Sequence, residues 1–404
     1  MRTIAVFTGN RAEYGLQLPI IRAIDAHPEL DYRLVVTGGH LDAAFGETIS
    51  EIIDDGFHID AKVGISLTHD TVEATPEAIG NGIVKIARVL SEMRPDMAMI
   101  YGDRFEGFAA VIAASQMRLP TAHVEGGDLT EGGALDDSVR HAMTKLAHLH
   151  FATNEQAANR ILAMGEEKWR VHNTGFPMID LIEAGDYTPA KDVTEQYGID
   201  ENAPLVIFTQ HSVATAYDRA KHEIQQSISA LHELRSQGVQ IIATYPNNDA
   251  GGRTIIQELE AAFTDDNAGV VLTPSLGRRN YHGLLTLARN PENRVAVLGN
   301  SSSGIKETPA FFCPTVNIGT RQKGRLRAAN VIDADYDREA ILGAAKRALF
   351  DEDFRQTCKA VQNPYGDGRS GERIATVLAN VELDDTLIQK RMMIAGESRD
   401  GWFR

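Results

Sequence analysis

Short runs of apolar residues alternate with longer amphipathic ones along most of this chain. Thr3–Thr8, Leu34–Thr37, Met97–Tyr101, Thr121–Val124 and Phe151–Thr153 are apolar on both alternating faces, which predicts strands buried on two sides. Leu16–Ala26, Ala43–Asp54, Pro76–Met93, Ser138–His148 and Glu155–Met164 repeat their apolar residues with the period of a helix, and Gly9–Gly15 reads as a turn. Strands alternating with helices in this way build a parallel, doubly wound sheet.

The rhythm breaks over Asn173–Asp200, a stretch of Gly, Pro and charge, and then restarts. Strands are expected at Leu205–Thr209, Gln240–Thr244, Gly269–Leu272, Arg294–Leu298 and Thr315–Ile318. Helices are expected at Asp218–Gln237, Gly252–Phe263, Tyr281–Arg289, Ser303–Ala310 and Arg338–Phe350. The reading is an α/β protein of two Rossmann-like, doubly wound domains facing a cleft. Residues 1–180 form the first domain and 181–370 the second. Residues 371–404 add one or two amphipathic helices, expected to pack back on the first domain, with a loose tail from Gly396.

A length of 404 residues agrees with two cores rather than one, and 43% hydrophobic residues is a globular composition. The formal charge of −16, with no Lys/Arg-rich block, argues against nucleic acid as a partner. Cys313 and Cys358 are the only cysteines, so neither a disulfide framework nor a cysteine-rich zinc site is indicated. The N-terminal apolar run is too short for a signal sequence, and no segment reaches membrane-spanning length. A cytoplasmic location follows as the expectation.

Acids collect where the predicted strands end. Asp103 lies just past Met97–Tyr101, Glu125 just past Thr121–Val124, and Asp136 and Asp137 open the next helix. Side chains at the carboxyl ends of neighbouring parallel strands share one crevice. Three carboxylates there, with Arg104 and Arg140 close in sequence, suit acid/base work on a bound molecule. Asp136 or Asp137 would equally serve as a helix N-cap, and Asp103 and Arg104 as solvated loop charges.

A second group of residues suits an anion. Gly299–Glu307 (GNSSSGIKE) follows a strand and opens a predicted helix, offering backbone N–H groups, the positive end of a helix and three hydroxyls. Its Lys306 is one residue out of register for a P-loop, which excludes an NTPase of that class. Arg321–Arg327 (RQKGRLR) adds local positive charge, although Arg325 and Arg327 suit solvent as well, and Arg11 sits in the turn after the first strand. His211, at the end of the second domain's first strand, faces the crevice and can move a proton either way near neutral pH; a structural hydrogen bond is its other use. Asn247 occupies the matching place after the next strand, as a ligand for sugar or phosphate or as a turn residue. His123-Val124-Glu125 imitates the HxE of zinc deaminases but lacks the PCxxC that motif needs. His141, His148 and His150 complete no metal site and read as a polar helix face or as support for neighbouring groups.

Nine motifs occur in order: TGNRAEYG, GDRFE, HVEGGD, DDSVRHAMTKLAHLH, TGFPMID, TQHS, YPNNDAGG, GNSSSGIKE and NIGTRQKGR. Together they make the chain resemble the hydrolysing UDP-N-acetylglucosamine 2-epimerases of sialic and legionaminic acid biosynthesis. The non-hydrolysing relatives carry DSGG where this chain has GNSSSG, and lack the NIGxRQxGR run. The loop from Glu125 to Asp136 is a couple of residues longer than in some members. The resemblance implies the two-domain fold of GT-B glycosyltransferases. It implies that Arg11, Asn247, Ser301, Ser302, Glu307 and Arg321 hold the nucleotide, and that Arg104 and Arg140 lie near the diphosphate. Asp103, Glu125, Asp136 and His211 would carry the chemistry, in which UDP is eliminated to leave a glycal that water then hydrates. That route requires no metal or redox cofactor; its partners are the UDP-sugar and UDP, and a homodimer or homotetramer is expected. A GT-B glycosyltransferase or a non-catalytic sugar-nucleotide sensor are the competing readings, and the C4 substituent of the sugar, hydroxyl or acetamido, is open.

Overall fold

The computed structural model describes residues 1–42, 48–65, 71, 73–129, 135–247, 249–263 and 269–393. Seven parallel strands form the first sheet: β1 (Arg2–Thr8), β2 (Leu30–Thr37), β3 (Ala61–Val63), β4 (Met97–Tyr101), β5 (Thr121–Val124), β6 (Leu149–Ala152) and β7 (Val171–Asn173). Their order is β3-β2-β1-β4-β5-β6-β7. Six parallel strands form the second: β8 (Leu205–Thr209), β9 (Gln240–Thr244), β10 (Val270–Thr273), β11 (Val295–Gly299), β12 (Thr315–Ile318) and β13 (Val331–Ala334). Their order is β10-β9-β8-β11-β12-β13. In both sheets the winding reverses between the first strand and a later one, at β1/β4 and at β8/β11.

Each sheet has its own core. In the first, Ala5, Phe7, Val35, Ala98 and Ile100 pack against Ile86, Leu90, Ala110, Val111 and Met143 of the covering helices. In the second, Val206, Phe208, Ile241 and Leu298 pack against Ile224, Leu231, Ile341 and Leu349. The chain divides into two compact units, one of Met1–Asp128, Leu135–Asp180 and the described residues from Gly366 to Met393, the other essentially Leu181–Tyr365. The C-terminal return is held to the first unit by polar contacts. Asp180 accepts the N–H groups of Ser370 and Gly371 at 2.9 and 2.7 Å, capping the helix Ser370–Asn380. Buried Arg170 donates to the carbonyls of Thr386 and Leu387, both at 2.7 Å. Lys390 reaches the buried Glu166 carboxylate at 2.8 Å, which also takes His150 at 3.0 Å and Lys145 at 2.5 Å. Among the described residues, no helix is long and apolar enough to cross a membrane.

Local chemistry explains where expectation and structure part. The stretch Gly9–Gly15 is not all turn, because Asn10, in extended backbone, accepts the Glu13 N–H at 3.0 Å and starts a helix at Arg11. That helix runs on to Asp25 through Pro19, whose missing N–H leaves the Gly15 carbonyl without its helical donor. Burial of Tyr14, Leu18, Ile20, Ile21 and Ile24 outweighs the loss. The strands β3, β7 and β13 went unpredicted because each runs only three or four residues and is interrupted by a polar side chain, Lys62, His172 and Asp333 respectively, so no apolar run marks them. The helices Met178–Glu183 and Ala190–Tyr197 lie within the expected break, and Glu352–Lys359 was also unforeseen. Of the helix expected at Ala43–Asp54, Ile49–Asp54 is seen, and residues 43–47 lie outside the described residues.

Candidate functional site

The predicted residues cluster at the carboxyl ends of the strands where each sheet reverses, the general location of ligand sites in open α/β sheets. In the first unit Asp103 leaves β4 and Glu125 leaves β5, two strands that pair directly. Arg140, on the helix Leu135–Leu146, joins them. Its guanidinium donates to the Asp103 carboxylate and, through Nη1, to the Glu125 carbonyl at 3.0 Å. Burial opposes the Arg140 charge, yet Asp103, Glu125 and Asp128 outweigh it and hold its pKa above the ordinary arginine value. Glu125 adopts φ +64°, a left-handed conformation uncommon for a residue with a side chain, and it is buried. Such strain tends to be kept where a functional group must be aimed. Asp136 and Asp137 both fall inside the first turn of their helix; Asp137 is buried and Asp136 exposed.

At β1/β4 a cavity of about 300 Å³ is lined by Asn10, Arg11, Gly38, Asp42, Arg104 and Glu106, among others. Arg11 is largely exposed and pairs with Glu51 at 2.6 Å; the half-exposed Arg104 has its Nε 3.7 Å from the Glu106 carboxylate. Glu106 is buried, and burial raises its pKa. Glu13 beside it is raised to about 8, by burial first and then by the Glu106 charge. Gly38, at φ +55°, has no room for a side chain, since a Cβ would overlap the Glu106 carboxyl. Glu13 and Glu106 stand within the quoted motifs NRAE and GDRFE, but nothing in the sequence marks them as buried; their pairing across β1 and β4 is a tertiary fact.

His123 is spent on structure. It is fully buried, with Nε2 2.7 Å from the Gly102 carbonyl and Nδ1 3.1 Å from the Thr144 hydroxyl. His148 and His150 lie beyond the helix rather than on its polar face: His148 accepts the Thr121 N–H at 3.1 Å, and His150 meets Glu166.

In the second unit His211 follows β8, Asn247 follows β9, the serine loop follows β11 and Arg321 follows β12. The backbone N–H of Asn247 donates to His211 Nδ1 at 3.0 Å. Burial, and then the Arg321 charge, lower the His211 pKa to about 3. Gly299 (φ +132°) allows β11 to approach β8, since any Cβ would overlap the Thr209 carbonyl. The serine loop opens only one α-helical turn, Ser303–Lys306, followed by a 3₁₀ turn at Thr308–Phe311, so the helix dipole available is small. Ser301 and Ser303 hydroxyls lie 2.9 Å apart, and Ser303 donates to the Tyr281 hydroxyl at 3.2 Å; Ser302 is half-buried beside them. Glu307 is oriented by buried His282, whose Nε2 lies 2.7 Å from its carboxylate. Asn300 is fully buried and bonds both to His211 and to the arginine loop. Sequence reasoning missed His282 and Asn300. The second sits inside the quoted serine motif, between a required glycine and the hydroxyls, and that placement was its only signal.

Fold and site thus define a two-domain α/β protein whose first sheet presents a buried acid–arginine cluster and whose second presents a serine loop, a histidine and an arginine. The chain belongs to the UDP-N-acetylglucosamine 2-epimerase family, which matches it over residues 22–379. It is 34% identical to the UDP-N-acetylglucosamine 2-epimerase of Neisseria meningitidis serogroup B, over 97% of this chain and 99% of that one. It is 33% identical to the hydrolysing UDP-N,N'-diacetylbacillosamine 2-epimerase of Legionella pneumophila, over 96% of this chain and 99% of that one. The crystal structure of a UDP-GlcNAc 2-epimerase from Neisseria meningitidis, bound to UDP-GlcNAc, superposes with a TM-score of 0.78 at 20% identity, covering 94% of this chain and 99% of that one.

Proposed function

We propose that this protein is a hydrolysing UDP-sugar 2-epimerase, converting UDP-N-acetylglucosamine to N-acetylmannosamine and UDP for nonulosonic acid biosynthesis. The observation that carries the reading is the pair Asp103 and Glu125 at adjoining strand ends, bridged by buried Arg140. The C2 hydrogen of the sugar is barely acidic until the C1–O bond stretches and C1 becomes cationic. UDP leaves with the C1–O electrons, stabilised by hydroxyl and guanidinium donors of the kind at Ser301, Ser302 and Arg321. A carboxylate takes the C2 proton, and that electron pair forms the C1=C2 bond of a glycal. Water then adds its hydroxyl at C1 while an acid returns a proton to the opposite face of C2, so C2 inverts. Two faces require more than one proton-handling group, and Asp103, Glu125 and Asp136 supply the candidates.

The Legionella relative favours a second substrate, UDP-2,4-diacetamido-2,4,6-trideoxyglucose, handled by the same chemistry. Assaying the two UDP-sugars side by side separates these readings. The reaction itself is tested by turnover in D₂O with NMR of the free sugar. Solvent deuterium at C2 of the released 2-epimer, in step with UDP, is expected. A product that keeps its C2 hydrogen and configuration is that of simple glycoside hydrolysis and overturns the elimination. A glycosyltransferase or a sensor would release no free 2-epimer.

A further inference from the structure

We infer that His211 works as a neutral imidazole of one fixed tautomer, donating from Nε2–H, and that Asn300 is the positioning residue that holds it so. The acceptor, an oxygen of the leaving diphosphate, rests on the UDP-sugar reading above; the tautomer does not.

The Asn247 N–H lies 3.0 Å from His211 Nδ1 and can only donate, so Nδ1 must present a lone pair. A neutral imidazole then carries its proton on Nε2, and protonating Nδ1 would set two N–H groups against each other. Nε2 has no hydrogen-bond partner among the described residues and belongs to a half-buried side chain, so its N–H is available to a ligand. With the Nδ1 lone pair occupied and Nε2 protonated, no lone pair remains for a sugar C–H. His211 is therefore a donor to developing negative charge, and the proton transfers fall to carboxylates. The charged groups that face it agree. Arg321, from the loop after β12, opposes the imidazolium. Asp249, on the Asn247 side, is engaged by the Asn247 side chain at 2.6 Å.

Asn300 supplies the rigidity. Its Oδ1 accepts the His211 N–H at 2.7 Å and its Nδ2 donates to the His211 carbonyl at 2.8 Å, clamping the histidine backbone from both sides. Its own N–H donates to the Thr209 carbonyl at 3.1 Å. Its carbonyl accepts Gln322 Nε2 at 2.8 Å and Arg321 Nη1 at 3.2 Å. One fully buried residue thus fastens the end of β8, the serine loop after β11 and the arginine loop after β12.

The test is ¹⁵N NMR of the whole enzyme labelled at histidine, with His211→Gln used to assign the His211 signals. A neutral Nε2–H imidazole, unchanged from pH 5 to 9, is expected; an imidazolium or an Nδ1–H form within that range overturns the assignment. The near-isosteric Asn300→Asp, with Asn300→Ala as the second variant, should yield mixed tautomers or a His211 that titrates. A single unchanged tautomer in either variant removes Asn300 from the role. His211→Gln, which keeps an N–H donor near Nε2, should retain at least about tenfold more turnover than His211→Asn, which cannot reach there. Equal losses overturn the donor role. A protein that turns over neither UDP-sugar would sink the function proposed above while leaving the NMR result standing.

Discussion

Arg140 and Arg104 read alike in the sequence, two arginines near acids, yet the fold gives them different work. Arg140 is buried and divided between a carboxylate and a backbone carbonyl, a task that needs the fork of a guanidinium. Arg140→Lys offers one point charge for two acceptors. We expect turnover to fall about tenfold or more while UDP affinity stays within about twofold, measured by steady-state kinetics and by calorimetry. A large loss of UDP affinity would instead support a diphosphate contact, the place the resemblance implied for Arg140. Asp103→Asn and Glu125→Gln each should cost about 10²-fold in turnover, the usual scale for a lost general acid or base. Either variant working at nearly the normal rate would strike that residue from the mechanism.

The helix Arg11–Asp25 shows how one element carries both fold and charge. Its first turn holds Glu13 against Gly9, whose N–H donates to the carboxyl at 3.2 Å, and Gln17 donates to it at 3.0 Å. Burial and the neighbouring Glu106 raise the Glu13 pKa from 4.5 to about 8. An acid raised on folding makes the native state bind more protons than the unfolded one. Its contribution is therefore full below pH about 4.5 and is lost as pH rises toward 8, at up to about 1.4 kcal/mol per pH unit. Glu13→Gln mimics the protonated acid, and its amide can serve the unsatisfied Gln17 Oε1 if that side chain turns over. The variant should lose less stability between pH 5 and 8 than the parent, read from denaturant midpoints at both values. An equal decline in both proteins would show that Glu13 is already ionised in the folded state.

At the scale of the whole molecule, two compact units with separate cores allow two unfolding transitions. Of the six proposed nucleotide ligands, Asn247, Ser301, Ser302, Glu307 and Arg321 lie within 181–365, and Arg11 lies in the other unit. UDP at a hundred times its Kd should stabilise the unit that binds it by about 2.7 kcal/mol. Calorimetry of the intact protein with and without UDP should show one transition rising while the other moves less, and Arg321→Ala should reduce the shift. A UDP-induced rise that survives undiminished in Arg321→Ala would place the nucleotide site elsewhere. The formal charge of −16 makes local cations such as Arg321 the more necessary for a dianionic ligand.

The sequence by itself determined the doubly wound architecture. Strands buried on both faces must be apolar throughout, and turn residues and acids must gather at their ends, so β4, β5, β8, β9 and β12 stand out one by one. The site motifs were legible for the same reason, since they sit in the short loops that such strands dictate. Of the edge strands, β10 was legible from its unbroken run of apolar residues, whereas β3, β7 and β13 were not, because three or four residues with a polar one among them leave a weak pattern. Nor could local pattern say that Asn10 would cap a helix through a proline, or that the serine loop would open only a single turn. Tertiary structure alone decided which polar residues lost their water. Glu13 and Glu106 share a buried corner, His123 is consumed between Gly102 and Thr144, and Asn300 clamps His211. Desolvation and partner geometry set the protonation of such groups, and both depend on residues far apart in the chain that only folding brings together.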